Sequence, residues 1–261
     1  HLLDNGGYVS RSPDAYDLDL ALIADDLLGY VRETQPKTWA KQEAIHGDKL
    51  GPNLLAAFDK AANHRGVLHV LRHGFKFYGG LVRVATFQPA HGLNPEVEKL
   101  YALNRLAVVR QLRFDPKRPG LELDLALFLN GIPVVTVELK NAMTNQKAGH
   151  AKRQYRQDRD PNAPIFRFKR RALVHFAVGS DEVWMTTRLA GTKTFFLPFN
   201  KGHGTASGNP PAEDKHRTHY LWEQVWQRDG LLDILARFMH LQVEETTGAD
   251  GRTRRRETMI F

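Results

Sequence analysis

Residues 121–141 read LELDLALFLNGIPVVTVELKN. Two apolar runs flank Asn130-Gly131, the strongest short-range turn signal between strands, so the stretch predicts a hairpin of Leu121–Leu129 and Pro133–Lys140. Every odd position from Leu121 to Leu129 is Leu, which places Glu122 and Asp124 together on the opposite face. Glu138 and Lys140 are two residues apart and share one face of the second strand. Buried strands rarely carry such ionisable groups without pairing or using them.

Register decides what these groups can do. A two-residue turn at Asn130-Gly131 sets Asp124 opposite Val137 and leaves Glu138 on the other face. A three-residue connection over 130–132, or another one-residue bulge in the hairpin, pairs Asp124 with Glu138, and that is the expected arrangement. Two neighbouring carboxylates repel unless a cation lies between them. Oxygen ligands suit Mg²⁺, which polarises a phosphodiester and activates an attacking water, and an adjacent lysine orients that water or stabilises developing charge. A cross-strand Asp–Lys or Glu–Lys ion pair satisfies the same spacing, so the residues alone leave both readings open.

Around the hairpin, residues 14–34 read as a helix ended by Pro36, and a second helix is expected from about Pro52 to His64. Val67–Arg72, Phe75–Tyr78 and Leu81–Phe87 read as short strands. Asn94-Pro95 opens a helix with Asn94 as its N-cap, followed by a strand over Ala107–Phe114. Beyond the hairpin come a helix over 145–159, strands over Ala172–Val178 and Val183–Thr187, a long Gly-, Pro- and His-rich loop over 200–217, and helices over Tyr220–Gln227 and Leu231–Met239. This order predicts a mixed α/β fold: a central mixed sheet flanked by helices, with N-terminal helical and β additions. The 261 residues divide into one domain over 1–242, its core at about 94–180, and a linker over 243–261.

Composition removes several function classes. The chain has no cysteine, so it has no disulfide scaffold, thiolate metal site or cysteine nucleophile, and it suits a reducing compartment such as the cytoplasm. No apolar run is long enough to span a membrane. No Gly-x-x-x-x-Gly-Lys-Ser/Thr loop, Gly-x-Ser-x-Gly elbow or His-Glu-x-x-His helix occurs. The pairs His69/His73 and His216/His219 lack further zinc ligands, and Trp222 and Trp226, four apart on an expected helix, are read as packing residues. The net charge is +8, and it is clustered. Residues 147–171 hold nine Lys and Arg against Asp158 and Asp160, and Arg252, Arg254, Arg255 and Arg256 form a second cluster. One-signed clustering fits phosphate contacts better than a solvated helix face, with Lys147, Lys152, Arg153 and Arg156 as candidate DNA contacts.

The stretch 121–141 resembles the PD-(D/E)XK nuclease motif, with Glu-Leu-Asp124 in place of Pro-Asp and Glu138-Leu139-Lys140 as the second half. The longer pattern is similar to the N-terminal nuclease domain of the type I restriction enzyme R (motor) subunit. It continues through Gln154 to Pro161, Ser180 to Val183 and Arg188 to Thr192. The resemblance implies Mg²⁺-dependent cleavage of double-stranded DNA, with Mn²⁺ as a substitute, inside a complex with modification and specificity subunits. It also implies an ATP-driven translocase downstream, so the chain, which begins at His1 and ends at Phe261, is expected to be a fragment that does not itself hydrolyse ATP. By the same resemblance Asp124 and Glu138 ligate metal, Lys140 positions the water, and Gln154 is the glutamine of a Gln-x-x-x-Tyr motif. The tyrosine position of that motif is Asp158 here, while Tyr155 adjoins Gln154. An acidic residue from a preceding helix, as some members use, is looked for at Glu96 or Glu98, neither of which is counted as a ligand, or upstream of His1. A DNA-binding or docking module without chemistry is the alternative.

Overall fold

The structure is a computed structural model, and it describes residues 1–88, 94–140, 147–247 and 253–261. Its centre is a seven-stranded mixed sheet. The strands are β1 (Tyr8–Ser10), β4 (Leu106–Arg113), β5 (Glu122–Leu129), β6 (Ile132–Leu139), β7 (Val174–Val178), β8 (Val183–Thr186) and β9 (Leu197–Pro198), in that order across the sheet. β1 runs parallel to β4, and β6 parallel to β7; the other neighbours are antiparallel. The parallel β6–β7 pair requires a crossover, and α6 (Ala148–Gln157) supplies it.

The N-terminal additions are more helical than the sequence suggests. Only Ala24–Thr34 (α1) is α-helical within 14–34, and Pro36 opens α2 (Pro36–His46), where its fixed φ and missing N–H suit a first turn. α3 (Leu50–Arg65) follows. Val67–His73 is a helix, α4, and not a strand: Val67, Leu68, Val70 and Leu71 form one buried helical stripe, and tertiary packing outweighs their β preference. The hairpin of β2 (Phe75–Phe77) and β3 (Gly80–Val82) and helix α5 (Pro95–Ala102) come next, with Asn94 Oδ1 accepting from the N–H groups of Glu96 and Val97 as an N-cap.

The sheet separates two apolar layers. On one side Leu27 and Tyr30 of α1, Leu54 and Phe58 of α3, and α4 pack on Leu127, Leu129, Val135, Val137 and Phe176. On the other, Ala151 and Tyr155 of α6 pack with Val109, Phe128, Ala126, Ala177 and Phe166. The leucine alternation of β5 breaks near its start, because Leu123 joins this second layer with its partner Leu112. Gln111, at φ +50°, is where β4 changes face.

The expected linker is structured. β10 (His240–Thr247) and β11 (Thr253–Ile260) pair antiparallel, setting Glu244 against Arg256 and Glu245 against Arg255. Two of the four arginines of the second basic cluster thus lie in register with acids, and Arg255 forms an ion pair with Glu257 of its own strand; Arg252 lies outside the described residues. Between β9 and β10 the expected helices are present: Leu221–Val225 and Ile234–Phe238 are π-helical, the second continuing α7 (Arg228–Asp233). Trp226 N–H donates five residues back to Leu221 O at 2.6 Å, and Met239 N–H to Ile234 O at 3.0 Å.

Candidate active site

The β5–β6 hairpin is built differently from the expected loop, but with the same outcome. Leu129 pairs with Ile132 across a two-residue turn, with Asn130 at φ +49° and Gly131 at φ +78°. Both left-handed residues make this a turn whose twist matches the strands. The register then slips by one residue between Leu127 and Phe128, so Leu125 pairs with Val137. Extending that register places Asp124 beside Glu138 on one face. The turn is locked in place from below. Asn130 Oδ1 accepts from Arg105 N–H at 2.6 Å, its amide donates to Val84 O at 2.8 Å, and Ile23 N–H donates to Gly131 O at 2.8 Å. A Cβ on Gly131 would stand 2.2 Å from Ile23 O.

At the far end of the hairpin three groups converge. Asp124 Oδ2 accepts from the backbone N–H of Leu139 at 2.7 Å, so the β6 backbone itself orients the carboxylate. Lys140 Nζ lies 3.9 Å from the same oxygen. Glu138 is fully buried, and its Oε1 accepts from Arg159 Nε at 2.7 Å, while Oε2 has no partner among the described residues. Burial pushes the Glu138 carboxyl up to about 7, against the opposing pull of Arg159 and with a further push from Asp124.

Arg159 is the residue that spacing did not single out. It is 3% exposed, donates from Nη2 to Glu122 O at 2.8 Å, and lies 5.1 Å over the Phe114 ring. It thus ties the start of β5 to the acidic end of β6. In the sequence it is one arginine of a basic run, and only the fold shows it turned inward. Arg171 and Lys169 of that run are also paired, with Asp59 and Glu257, so the run presents less free charge than its composition suggests.

Beneath Glu138 on the same face, Thr136 Oγ1 meets Tyr155 OH at 2.9 Å and His175 Nδ1 at 2.8 Å. Burial holds His175 down at about 3, so this histidine is neutral, and burial raises Tyr155 as well. The network fixes α6 against β6 and β7 and makes Tyr155 part of the floor of the site. Gln154 is half-buried, and among the described residues no hydrogen bond or ion pair joins its side chain to Asp124, Glu138 or Lys140. Asp158 is exposed at the C-terminal end of α6.

The four candidate DNA contacts divide into two kinds. Lys147 and Arg153 are exposed. Lys152 Nζ sits 3.4 Å from the Trp184 ring centre, and Arg156 donates to Thr194 O at 3.1 Å with its guanidinium 5.4 Å from Phe196. The latter two therefore brace α6 against the β8 region. A cleft of about 260 Å³ opens beside Lys140, walled by Leu139, Gly179, His216, Thr218 and Trp222. Trp226, by contrast, is core, 5.4 Å from Phe176.

Among the described residues no group of three His, Asp or Glu forms a metal-binding set. The residues present do fit a hard cation on one count: a buried, partnerless carboxylate oxygen beside a second carboxylate is the donor chemistry such an ion takes.

A profile of the family described as the type I restriction enzyme R protein N terminus matches residues 21–194, about two thirds of the chain. The chain belongs to this family. Among curated proteins none matches it. The matched span runs from just before α1 to the loop after β8, and so contains the hairpin, α6 and all of Asp124, Glu138, Lys140 and Arg159. Family membership and the mixed sheet agree on a nuclease-type core from a restriction system. No helix among the described residues is long and apolar enough to cross a membrane.

Proposed function

We propose that this family member is the DNA-cleaving module of a type I restriction assembly, hydrolysing phosphodiesters of double-stranded DNA with Mg²⁺. The observation that carries the reading is the slipped hairpin register, which sets Asp124 beside Glu138 with Lys140 within 3.9 Å of Asp124. Asp124 and Glu138 would hold the ion, with the free Glu138 oxygen as the group still lacking a partner. When bound, Mg²⁺ supplies the charge that offsets both carboxylates, polarises the scissile phosphate and acidifies the attacking water.

The chain's own residues do the rest. The Leu139 N–H holds Asp124 in orientation, and Arg159 does the same for Glu138. Lys140, within 3.9 Å of Asp124, would donate toward the attacking water or toward the negative charge that develops on the phosphate oxygens. Exposed Lys147 and Arg153, at the start and middle of α6, would contact the strand's backbone. Such contacts carry no base sequence, so recognition belongs to specificity and modification subunits, and translocation to an ATP-driven motor beyond this chain. Such an assembly works in the cytoplasm, which suits a cysteine-free chain.

A second reading draws on the ion pairs themselves. Lys140 with Asp124 and Arg159 with Glu138 satisfy the acids without any cation, as a docking module that binds DNA but does not cut it would require. Lys140→Ala in the complete R subunit, assembled with its partners, Mg²⁺ and ATP, separates the two. The nuclease reading requires cleavage to be lost with DNA binding retained; cutting at the normal rate would overturn it.

A further inference from the structure

A second concentration of one-signed charge lies among the N-terminal additions, and the nuclease reading makes no use of it. α3, α4 and the β2–β3 hairpin enclose a pocket of about 490 Å³. Its basic side chains are Lys60, His64, Arg65, His69, His73 and Lys76, and no Asp or Glu lines it. Attraction of cations to helix C-termini accounts for His64 and Arg65 at the end of α3 and His73 at the end of α4. It does not account for Lys60, His69 or Lys76, nor for the absence of any neutralising acid.

The basic groups converge. Because Val67–His73 is a helix, His69 and His73 stand one turn apart, with ring centres 4.6 Å from each other. Arg65 Nη1 lies 3.4 Å from His69 Nε2. Burial, and then the neighbouring His73 and Arg65, hold His69 below its ordinary value, which is the condition of a group whose surroundings lack a counter-ion. A metal ion does not suit the site: Arg65 occupies the ring nitrogen, and no third ligand completes a set among the described residues.

The rim adds an independent feature. Phe77 pairs with Gly80 across a two-residue turn, with Tyr78 at φ +41° and Gly79 at φ +78°. Asn, Asp or Gly takes the first position of such a turn with little strain, whereas a bulky residue there is strained. The tyrosine is 65% exposed even with the rings of His46 and Phe77 against it, at centre distances of 4.3 and 5.0 Å, so much of its ring remains open to a ligand. Strain of this kind is retained where a side chain is used.

We propose that this pocket binds a phosphorylated nucleoside, its phosphate held by Arg65, His69, His73 and Lys76 and its base stacked on Tyr78. The pocket volume falls within the range of small-ligand sites, roughly 300–1,000 Å³. Cations beside an exposed aromatic face are how single strands are held without sequence preference. An inorganic anion leaves Tyr78 unexplained, and an uncharged aromatic leaves the cations unexplained. The nucleoside phosphate arrives either as a unit of a nucleic-acid strand or as a free nucleotide.

The test uses this chain, labelled at histidine, titrated separately with the oligonucleotide dT12, with thymidine monophosphate and with inorganic phosphate. The readouts are the His69 and His73 imidazole resonances and the affinity. Tyr78→Asn removes the ring while improving the turn, so folding is retained, and Arg65→Ser with Lys76→Ser removes the charge. The proposal expects dT12 or thymidine monophosphate to shift both histidines, and Tyr78→Asn to weaken that binding about tenfold. It expects the double variant to weaken binding further. A response to dT12 alone assigns the ligand to a strand; an equal response to thymidine monophosphate assigns it to a free nucleotide. Histidine shifts matched by inorganic phosphate and indifferent to Tyr78→Asn, or no shift with any of the three, would overturn the proposal.

Discussion

Arg159 places both Nε and Nη2 at 2.7 Å from a single oxygen of Glu138, Oε1, and leaves Oε2 buried without a partner among the described residues. The ion pair is among the least exposed in the protein, with side-chain exposures of 2% and 0%. In a buried pair the attraction is largely spent on desolvation, so its clearest consequence is orientation: one carboxylate oxygen is fixed and the other is left without a partner among the described residues.

Removing the arginine alone should therefore be costly. Arg159→Met removes the cation that touches Glu138 and leaves only the more distant Lys140, and the expected loss is ~3–5 kcal/mol. Arg159→Met with Glu138→Gln should recover most of it, because the uncompensated charge is gone. Urea denaturation of the wild type, the single variants and the double variant measures the coupling. Additive losses would show that the pair is not the source of the effect.

The raised Glu138 carboxyl sets a pH dependence whose sign is opposite to that of most carboxylates. Its folded value is about 7 against an ordinary 4.5, so between these pH values the folded protein binds the extra proton. The stabilising contribution is full below about 4.5 and is lost as pH rises through about 7, a change on the order of 3 kcal/mol. Unfolding midpoints across this range should fall with pH in the wild type more than in Glu138→Gln. Equal slopes in both proteins would contradict the assignment.

The hairpin turn is the mechanical basis of the site. Gly131→Ala puts a Cβ 2.2 Å from Ile23 O at φ +78°, so both contact and backbone resist it. The expected cost exceeds ~2 kcal/mol, measurable as a drop in Tm. Gly120→Ala, at a position with open space around it, should change Tm little.

Lys140→Ala should cost less than ~1 kcal/mol, since its ion pair with Asp124 is long and partly exposed. Its effect on DNA cleavage by the complete assembly should instead be near-total. Thermal denaturation beside a cleavage assay distinguishes this split from a general loss of fold.

Much of the site was legible because strand geometry is periodic. Asp124, Glu138 and Lys140 follow from alternation on a hairpin, given one extra residue in the ladder; that residue sits in the ladder and not in the loop, since Asn130 and Gly131 alone close the turn. Arg159 was hidden because its contact with Glu138 spans 21 residues and crosses from the end of α6 to β6, which no local pattern encodes. The same limit explains α4, where burial overrode the β preference of Val67 and Val70, and the β10–β11 pair, where the polar, Gly-containing stretch 244–256 resembled a tether although its two ends pair as strands. The partner acids of Lys169 and Arg171 lie far away in sequence, which is why that stretch reads as more basic than its surface is.

The most direct test of the central claim is metal occupancy. A crystal soaked in Mn²⁺, with anomalous scattering collected at the Asp124–Glu138 site, avoids the dependence of cleavage on partners and ATP. The account predicts a peak about 2.0–2.4 Å from an oxygen of each carboxylate, with Lys140 displaced from Asp124. No peak there, with Lys140 still on Asp124 and Arg159 still on Glu138, would contradict it and leave a DNA-binding module held together by its own ion pairs.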